Sequence, residues 1–177
     1  VERVCGEAHV TPVMSIGTNG FYLKDQAAFI AKHIQNATVS IDGAPDVHDR
    51  HRFTAGNGAS LPEILRAVRI FADAEMAYSV RMTVTGDTLP SMPDSVAYIC
   101  RNTNVDAIRV EPLYARGRAT SSNLDAPDPG AFIKGFRAAS AVARKYDCVL
   151  SYSGARLEGV YGSFCSYPSP TFGVTPE

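Results

Sequence analysis

Polar and charged side chains gather in a few short stretches of this sequence, and their types suit a small ligand with several functional groups. Thr18-Asn19-Gly20, Ser40-Ile41-Asp42-Gly43, Thr85-Gly86-Asp87 and Glu111-Pro112-Leu113 each lie at the end of a short apolar run. Their hydroxyls and carboxylates offer hydrogen-bond partners, and their glycines let a backbone approach a ligand closely. Arg52, Arg81 and the Arg116-Gly117-Arg118 turn add positive charge. That turn reads as a solvated loop with one arginine at a pocket rim rather than as a phosphate site. Several familiar chemistries lack their residues. His48 and His51 have metal-like spacing, but no further His or Cys lies near them to complete a zinc set. The stretch around Ser40 is not a Gly-x-Ser-x-Gly nucleophile elbow, and no Gly-x-Gly-x-x-Gly or phosphate loop occurs. Lys24, Lys32, Lys134 and Lys145 all fall on or beside predicted helices, which disfavours an aldolase-like barrel with a Schiff-base lysine in its lumen.

The elements that must position these groups follow from periodicity. Short apolar runs at residues 13–16, 37–41, 79–85 and 107–113 read as strands, with a fifth expected near 148–151. Amphipathic stretches at 25–34, 61–74, 92–102 and 129–146 read as helices. Ser60-Leu61-Pro62-Glu63 and Ser91-Met92-Pro93-Asp94 each predict a hydroxyl N-cap with an acid reaching back, and Asp128-Pro129 repeats the device. Helical crossovers of this length join strands in parallel. The long segment from Gly43 to Ser60 reads as a loop, tied down by His48, Asp49 and Arg52.

Residues of alternate parity point to opposite faces of a strand. Val39 and Ile41 oppose Thr38, Ser40 and Asp42; Val80, Met82 and Val84 oppose Arg81, Thr83 and Thr85; Ile108 and Val110 oppose Arg109 and Glu111. A sheet covered by helices on both faces would read as continuously apolar. The alternation predicts an α/β fold, a partial (β/α) barrel of about four parallel strands with helices on the outer face and a polar concave face. Two readings of that face stay open: a lumen that holds a ligand, or polar side chains pairing with one another, Arg81 with Glu111 first among them.

Composition narrows the function classes. The chain has 177 residues, and 17 Lys+Arg against 18 Asp+Glu leave a net charge of −1. That balance argues against a nucleic-acid-binding surface and against a polybasic membrane anchor. With 45% hydrophobic and 20% charged residues a real core can form. No apolar run is long enough to span a bilayer, and the first residues lack the order of a secretory signal, so a cytoplasmic location is expected. Cys5, Cys100, Cys148 and Cys165 are too scattered for a disulfide scaffold and read as small apolar residues.

Taken in order, Thr18-Asn19-Gly20, Ser40-Ile41-Asp42-Gly43 with His48-Asp49-Arg50-His51-Arg52, Gly56-Asn57-Gly58-Ala59-Ser60, residues 80–85 and residues 111–119 resemble the radical S-adenosylmethionine (radical SAM) enzymes. The resemblance is to the branch with a C-terminal SPASM region, which includes anaerobic sulfatase-maturating enzymes and peptide maturases. It implies SAM and a [4Fe–4S] cluster as cofactors of the parent protein, an oxidoreductase or maturase that makes a 5′-deoxyadenosyl radical, and a peptide or protein substrate. It further implies that Thr18, Asn19, Ser40, Asp42 and the Leu113 backbone face SAM, that Arg81 is a lumen charge near the SAM carboxylate or the substrate, and that Arg52 and Glu111 face substrate.

Two departures qualify the resemblance. The family's Cys-x3-Cys-x2-Cys cluster loop and its Gly-Gly-Glu-Pro segment do not occur in this sequence. Phe164-Cys165-Ser166-Tyr167 resembles the opening of the SPASM region, where Cys165 would ligate an auxiliary cluster in the parent. The expectation is therefore a fragment: residues 1–150 a partial radical SAM-like barrel, residues 151–177 the start of a poorly ordered SPASM-like extension, with no cofactor bound and no activity alone. Three spaced cysteines about 70–100 residues upstream of Thr18 would fit the missing barrel units. Self-association through an open sheet edge is also expected. The reading from a different class is a non-catalytic α/β ligand-binding or interaction module.

Overall fold

A computed structural model of the chain describes residues 2–114 and 124–152. The order of elements is α1 (Glu2–Glu7), β1 (Ser15–Thr18), α2 (Lys24–His33), β2 (Asn36–Ser40), α3 (Pro45–His51), α4 (Leu61–Asp73), β3 (Ala77–Val84), α5 (Met92–Asn102), β4 (Ala107–Pro112), α6 (Pro129–Ala143) and β5 (Val149–Tyr152). The strands form one five-stranded sheet in sequence order, every neighbouring pair parallel. This is the partial barrel expected from the alternating strands, and the fifth strand forms where it was expected.

The core lies between one face of the sheet and the helices. Val39, Ile41, Val80, Met82, Ile108 and Val110 are fully buried. α4 meets them with Leu61, Ile64, Ala67, Val68 and Phe71, the three- and four-residue spacing of a helical stripe. Each large side chain so buried contributes roughly 1.5–3 kcal/mol. The other face stays open: Gly17, Arg81, Arg109 and Ser151 are exposed, and Thr38, Ser79 and Thr83 are half-buried. Arg81 and Glu111 do not pair. The register sets Arg81 beside Arg109 and Glu111 beside Thr83, which separates the two charges along the strands.

Three local expectations are corrected. β1 begins at Ser15 rather than residue 13: Val13 is exposed, and Met14 precedes the strand, its carbonyl accepting from the Gln35 and Asn36 N–H groups where β2 begins. Neither Ser60 nor Ser91 caps its helix through its hydroxyl. The Asp49 carboxylate does so for α4 instead, accepting from the Ser60 and Leu61 N–H groups at 2.7 and 3.0 Å. Asp128 caps α6 as expected, accepting from the Ala131 N–H at 2.8 Å. Finally, the segment read as a loop contains α3, a short helix opened by Pro45.

No helix among the described residues is long and apolar enough to cross a membrane. Cys148 is buried against Cys100, and burial pushes its thiol up to about 12, so it is neutral near pH 7 and reads as core. Cys165 and residues 153–177 lie outside the described residues, as does the Arg116-Gly117-Arg118 turn.

Candidate functional site

Parallel strands bring all their C-terminal ends to one edge of the sheet, and the loops after them meet there. At β1 the chain turns sharply. The Thr18 hydroxyl accepts from the Gly20 N–H at 2.9 Å and is hydrogen-bonded to the Tyr22 hydroxyl. Asn19 Oδ1 accepts from the Phe21 N–H at 3.1 Å. Gly20 has φ +75°, and a Cβ there would stand 2.7 Å from Val39 Cγ1, so the turn packs against the core with no room for a side chain. The polar atom of Thr18 thus serves the turn, whereas the Asn19 side chain borders a cleft.

Beyond β2 the chain builds a network around Asp42, which is 6% exposed. Its carboxylate accepts from Arg52 Nε at 2.5 Å, from Arg52 Nη2 at 3.3 Å and from the Thr83 N–H at 2.8 Å. Arg52 also donates to the Thr83 hydroxyl at 3.3 Å. One buried carboxylate therefore ties α3, β3 and the end of β2 together. Such an acid must be paired, since an isolated buried charge is strongly disfavoured.

His48 completes the brace and is fully buried. Its Nδ1 accepts from the Asp42 N–H at 3.1 Å, which leaves Nε2 as the N–H that reaches the Ser60 hydroxyl, also at 3.1 Å. The Ser60 hydroxyl in turn donates to the Arg52 carbonyl. The ring is neutral in this arrangement, and burial, ahead of the opposing pull of Asp42, lowers its pKa from 6.5. Stability contributed by neutral His48 is therefore complete above pH 6.5 and is lost as pH falls below it, because the unfolded chain then binds a proton that the folded chain refuses. Urea midpoints measured between about pH 5 and 8 should decline on the acid side, and His48→Gln should flatten that decline. A profile unchanged by the substitution would remove His48 from this role.

A cleft of about 480 Å³ opens where these two turns face each other, lined by Asn19, Phe21, His51, Arg52, Phe53 and Ser60 among others. Its size falls in the range of small-molecule sites, and its lining mixes aromatic surface with a few polar groups, as such sites do. His51 Nε2 is buried without a hydrogen-bond partner, lying 3.5 Å from the Asp87 carboxylate without hydrogen-bond alignment. Arg50, one residue earlier, pairs with Asp87 at 3.1 Å. Hydrogen bonds from Thr85 and Arg50 hold the Asp87 carboxyl below its ordinary range.

Of the residues singled out in the sequence, Asn19 and Arg52 line this one cleft, and Asp42 holds Arg52 in place. Ser40 and Arg81 stand in register on the concave face, with Ser40 buried and Arg81 exposed. Glu111 lies opposite Thr83 on the same face. Leu113 is apart: its N–H extends the ladder by donating to the Val84 carbonyl at 2.8 Å, and its side chain borders a second, apolar cavity of about 340 Å³ with Tyr114, Phe132 and Tyr152. Sequence reasoning missed His51, Phe21 and Phe53 as cleft residues. A histidine in a segment read as a loop carries no periodic signal, and it was the unforeseen α3 that turned it inward.

No family model matches the sequence. Solved structures do resemble it. Native anSMEcpe with bound AdoMet and Kp18Cys peptide superposes on 86% of this chain with a TM-score of 0.68 at 17% identity, and the match covers 43% of that protein. A domain of pyruvate-formate lyase-activating enzyme from Bacteroides vulgatus ATCC 8482 matches over 84% of both chains, with a TM-score of 0.60 and 12% identity. Streptococcus suis SuiB bound to the precursor peptide SuiA matches over 85% of this chain and 33% of its own, with a TM-score of 0.60 at 13% identity. The chain therefore spans less than half the length of anSMEcpe and SuiB. What these likenesses share with the sheet order and the open polar face described above is architecture: the chain has the fold of radical SAM enzymes, as a partial (β/α) barrel.

Proposed function

We propose that this chain is the cofactor-orienting and substrate-facing part of a radical SAM enzyme that modifies a peptide or protein side chain. The observation that carries the reading is the cleft at the C-terminal strand edge, where Asn19 and Arg52 converge beside the polar concave face. SAM has a carboxylate, an ammonium, a sulfonium and ribose hydroxyls, so its site needs charge, hydroxyl partners and apolar surface together. The residues here suit it. Asn19, His51 Nε2, which makes no hydrogen bond, and Arg52 supply polar contacts, Phe21 and Phe53 supply aromatic surface, and Ser40 adds a hydroxyl on the adjoining face.

Held beside a reducing cluster carried by other residues of the whole enzyme, SAM would supply radical hydrogen-abstraction chemistry. What this chain's residues do is bind and orient. Asp42 fixes Arg52, Thr18 and Gly20 fix the turn that presents Asn19, and the apolar face keeps the sheet rigid beneath them. A [4Fe–4S] cluster does not fit the residues of this chain. The sequence has no Cys-x3-Cys-x2-Cys loop, and among the described residues no three His, Cys, Asp or Glu side chains converge. In this reading the cluster is held by other residues of the whole enzyme. The finer assignment, a cytoplasmic maturase of the SPASM type with residues 1–150 as barrel and residues 151–177 with Cys165 opening an auxiliary-cluster region, rests on motif order alone. So does the placing of Leu113 at the adenine. Among the described residues β1 and β5 are the outer strands of the sheet, which supports self-association of the chain through an edge.

A non-catalytic α/β ligand-binding module is the second reading, favoured by the internal use of Thr18 and Asp42, whose polar atoms are already partnered. Calorimetry separates the two. SAM should bind saturably to this chain, and Ser40→Ala, which removes a hydroxyl without breaking any described side-chain bond, should weaken that binding about fivefold to tenfold. Absence of SAM binding, or binding indifferent to Ser40→Ala, would leave the module reading in its place.

A further inference from the structure

The concave face carries a row of side chains that the fold itself does not require. Ser40, Arg81, Arg109 and Ser151 are successive register partners across β2, β3, β4 and β5. Strands lie about 4.8 Å apart, so the two arginines rise side by side from the middle of the sheet. Both are exposed, while their chain neighbours Val80, Met82, Ile108 and Val110 are fully buried on the opposite face. Like charges in register destabilise a sheet, and natural sheets relieve them with a nearby acid. Here none does so. Among the described residues neither arginine side chain has a hydrogen-bond or ion-pair partner. Asp42 is committed to Arg52 and Thr83, and Glu111, two residues beyond Arg109, faces Thr83 without pairing.

We propose that Arg81 and Arg109 form a carboxylate-binding subsite for the substrate, so that the peptide presents an acidic side chain or its C-terminal carboxylate to the centre of the concave face. Paired guanidinium groups offer parallel N–H donors that match a carboxylate's two oxygens, and a carboxylate between them cancels the repulsion that the empty row sustains. Ser40 and Ser151 flank the pair with hydroxyls able to meet the remaining lone pairs. The inference rests on the reading that this face meets a peptide, and it adds the substrate's charge.

The test is a titration followed by NMR at low ionic strength, where exposed charges are least screened. The probes are acetyl-Gly-Glu-Gly-amide, acetyl-Gly-Gln-Gly-amide, acetyl-Gly-Gln-Gly with a free carboxylate, and SAM. At least one carboxylate peptide should bind about tenfold tighter than the neutral one, and Arg81→Gln and Arg109→Gln should each abolish that preference. Which of the two carboxylate peptides is preferred identifies the source of the acid. Melting temperatures of both variants should stay level or rise, as expected when one of two like charges is removed. Equal binding of all three peptides, a preference that survives both substitutions, or a melting temperature that falls would overturn the proposal. So would a loss confined to SAM, which would assign the pair to the cofactor. SAM binding to the unsubstituted chain tests the enzyme reading separately, so either can fail while the other stands.

Discussion

Asp42→Ala is expected to destabilise the chain by about 3 kcal/mol, and Asp42→Asn by about half as much. The alanine variant strands Arg52 beside a cavity and leaves the Thr83 N–H without its acceptor, at a position where water has little access. The asparagine variant keeps an oxygen for the Thr83 N–H and loses the charge that holds the guanidinium. Because Arg52 is itself partly exposed and can recover some hydration, the loss falls at the lower end of what breaking a fully buried pair costs. Urea unfolding of the three proteins reads this directly, and an Asp42→Asn midpoint equal to that of the unsubstituted chain would show that charge contributes nothing here. The functional consequence follows from the same geometry. Arg52 lines the cleft only while Asp42 holds it, so under the proposed function the alanine variant should also bind SAM more weakly than the unsubstituted chain does.

Gly43→Ala should cost a similar amount, about 3 kcal/mol, for a different reason. Gly43 has φ +148°, a backbone region that side chains rarely adopt, and a Cβ there would stand 2.3 Å from Ser95 Oγ and 2.7 Å from Ser95 Cβ. Ser95 is buried on α5 and cannot swing away. Either the turn after β2 unwinds or α5 shifts, and both displace Asp42. Gly17→Ala is the matched control. Gly17 lies on the open face, and a methyl group added there would meet nothing within 4 Å, so its substitution should stay within about 0.5 kcal/mol. Thermal melts of the two variants side by side check the contrast, and a Gly43→Ala protein as stable as Gly17→Ala would mean that the turn has an alternative conformation open to it.

Much of the architecture was legible because it depends on repeating local patterns. Val80-Arg81-Met82-Thr83-Val84 alternates strictly, which places its two faces before any fold is known, and α5 spans Met92–Asn102 as periodicity and Pro93 predict. Less legible were elements whose stability is not local. α3 has only seven residues and too few apolar ones to show a stripe; it exists because Val47 and His48 are buried against the rest of the fold. Ser60 looked like a cap from its neighbours in sequence, yet its hydroxyl meets His48 and Arg52, and the cap comes from Asp49 across the turn. A hydroxyl takes whichever partners packing brings to it, and the chain order does not reveal them.

The candidate site divides along the same line. Alternation of residue types sufficed to put Ser40, Arg81 and Glu111 on one polar face, since a strand's two-residue period follows from backbone geometry alone. Which of those residues would stand side by side depended on strand register, and register depends on how the helices pack beneath the sheet. That packing set Arg81 beside Arg109 instead of Glu111, made Asp42 the brace of Arg52, and brought Asn19 and Arg52 to one cleft across 33 residues of chain. Periodicity reports the direction in which a side chain points, and distance between side chains on different strands is a property of the packed whole.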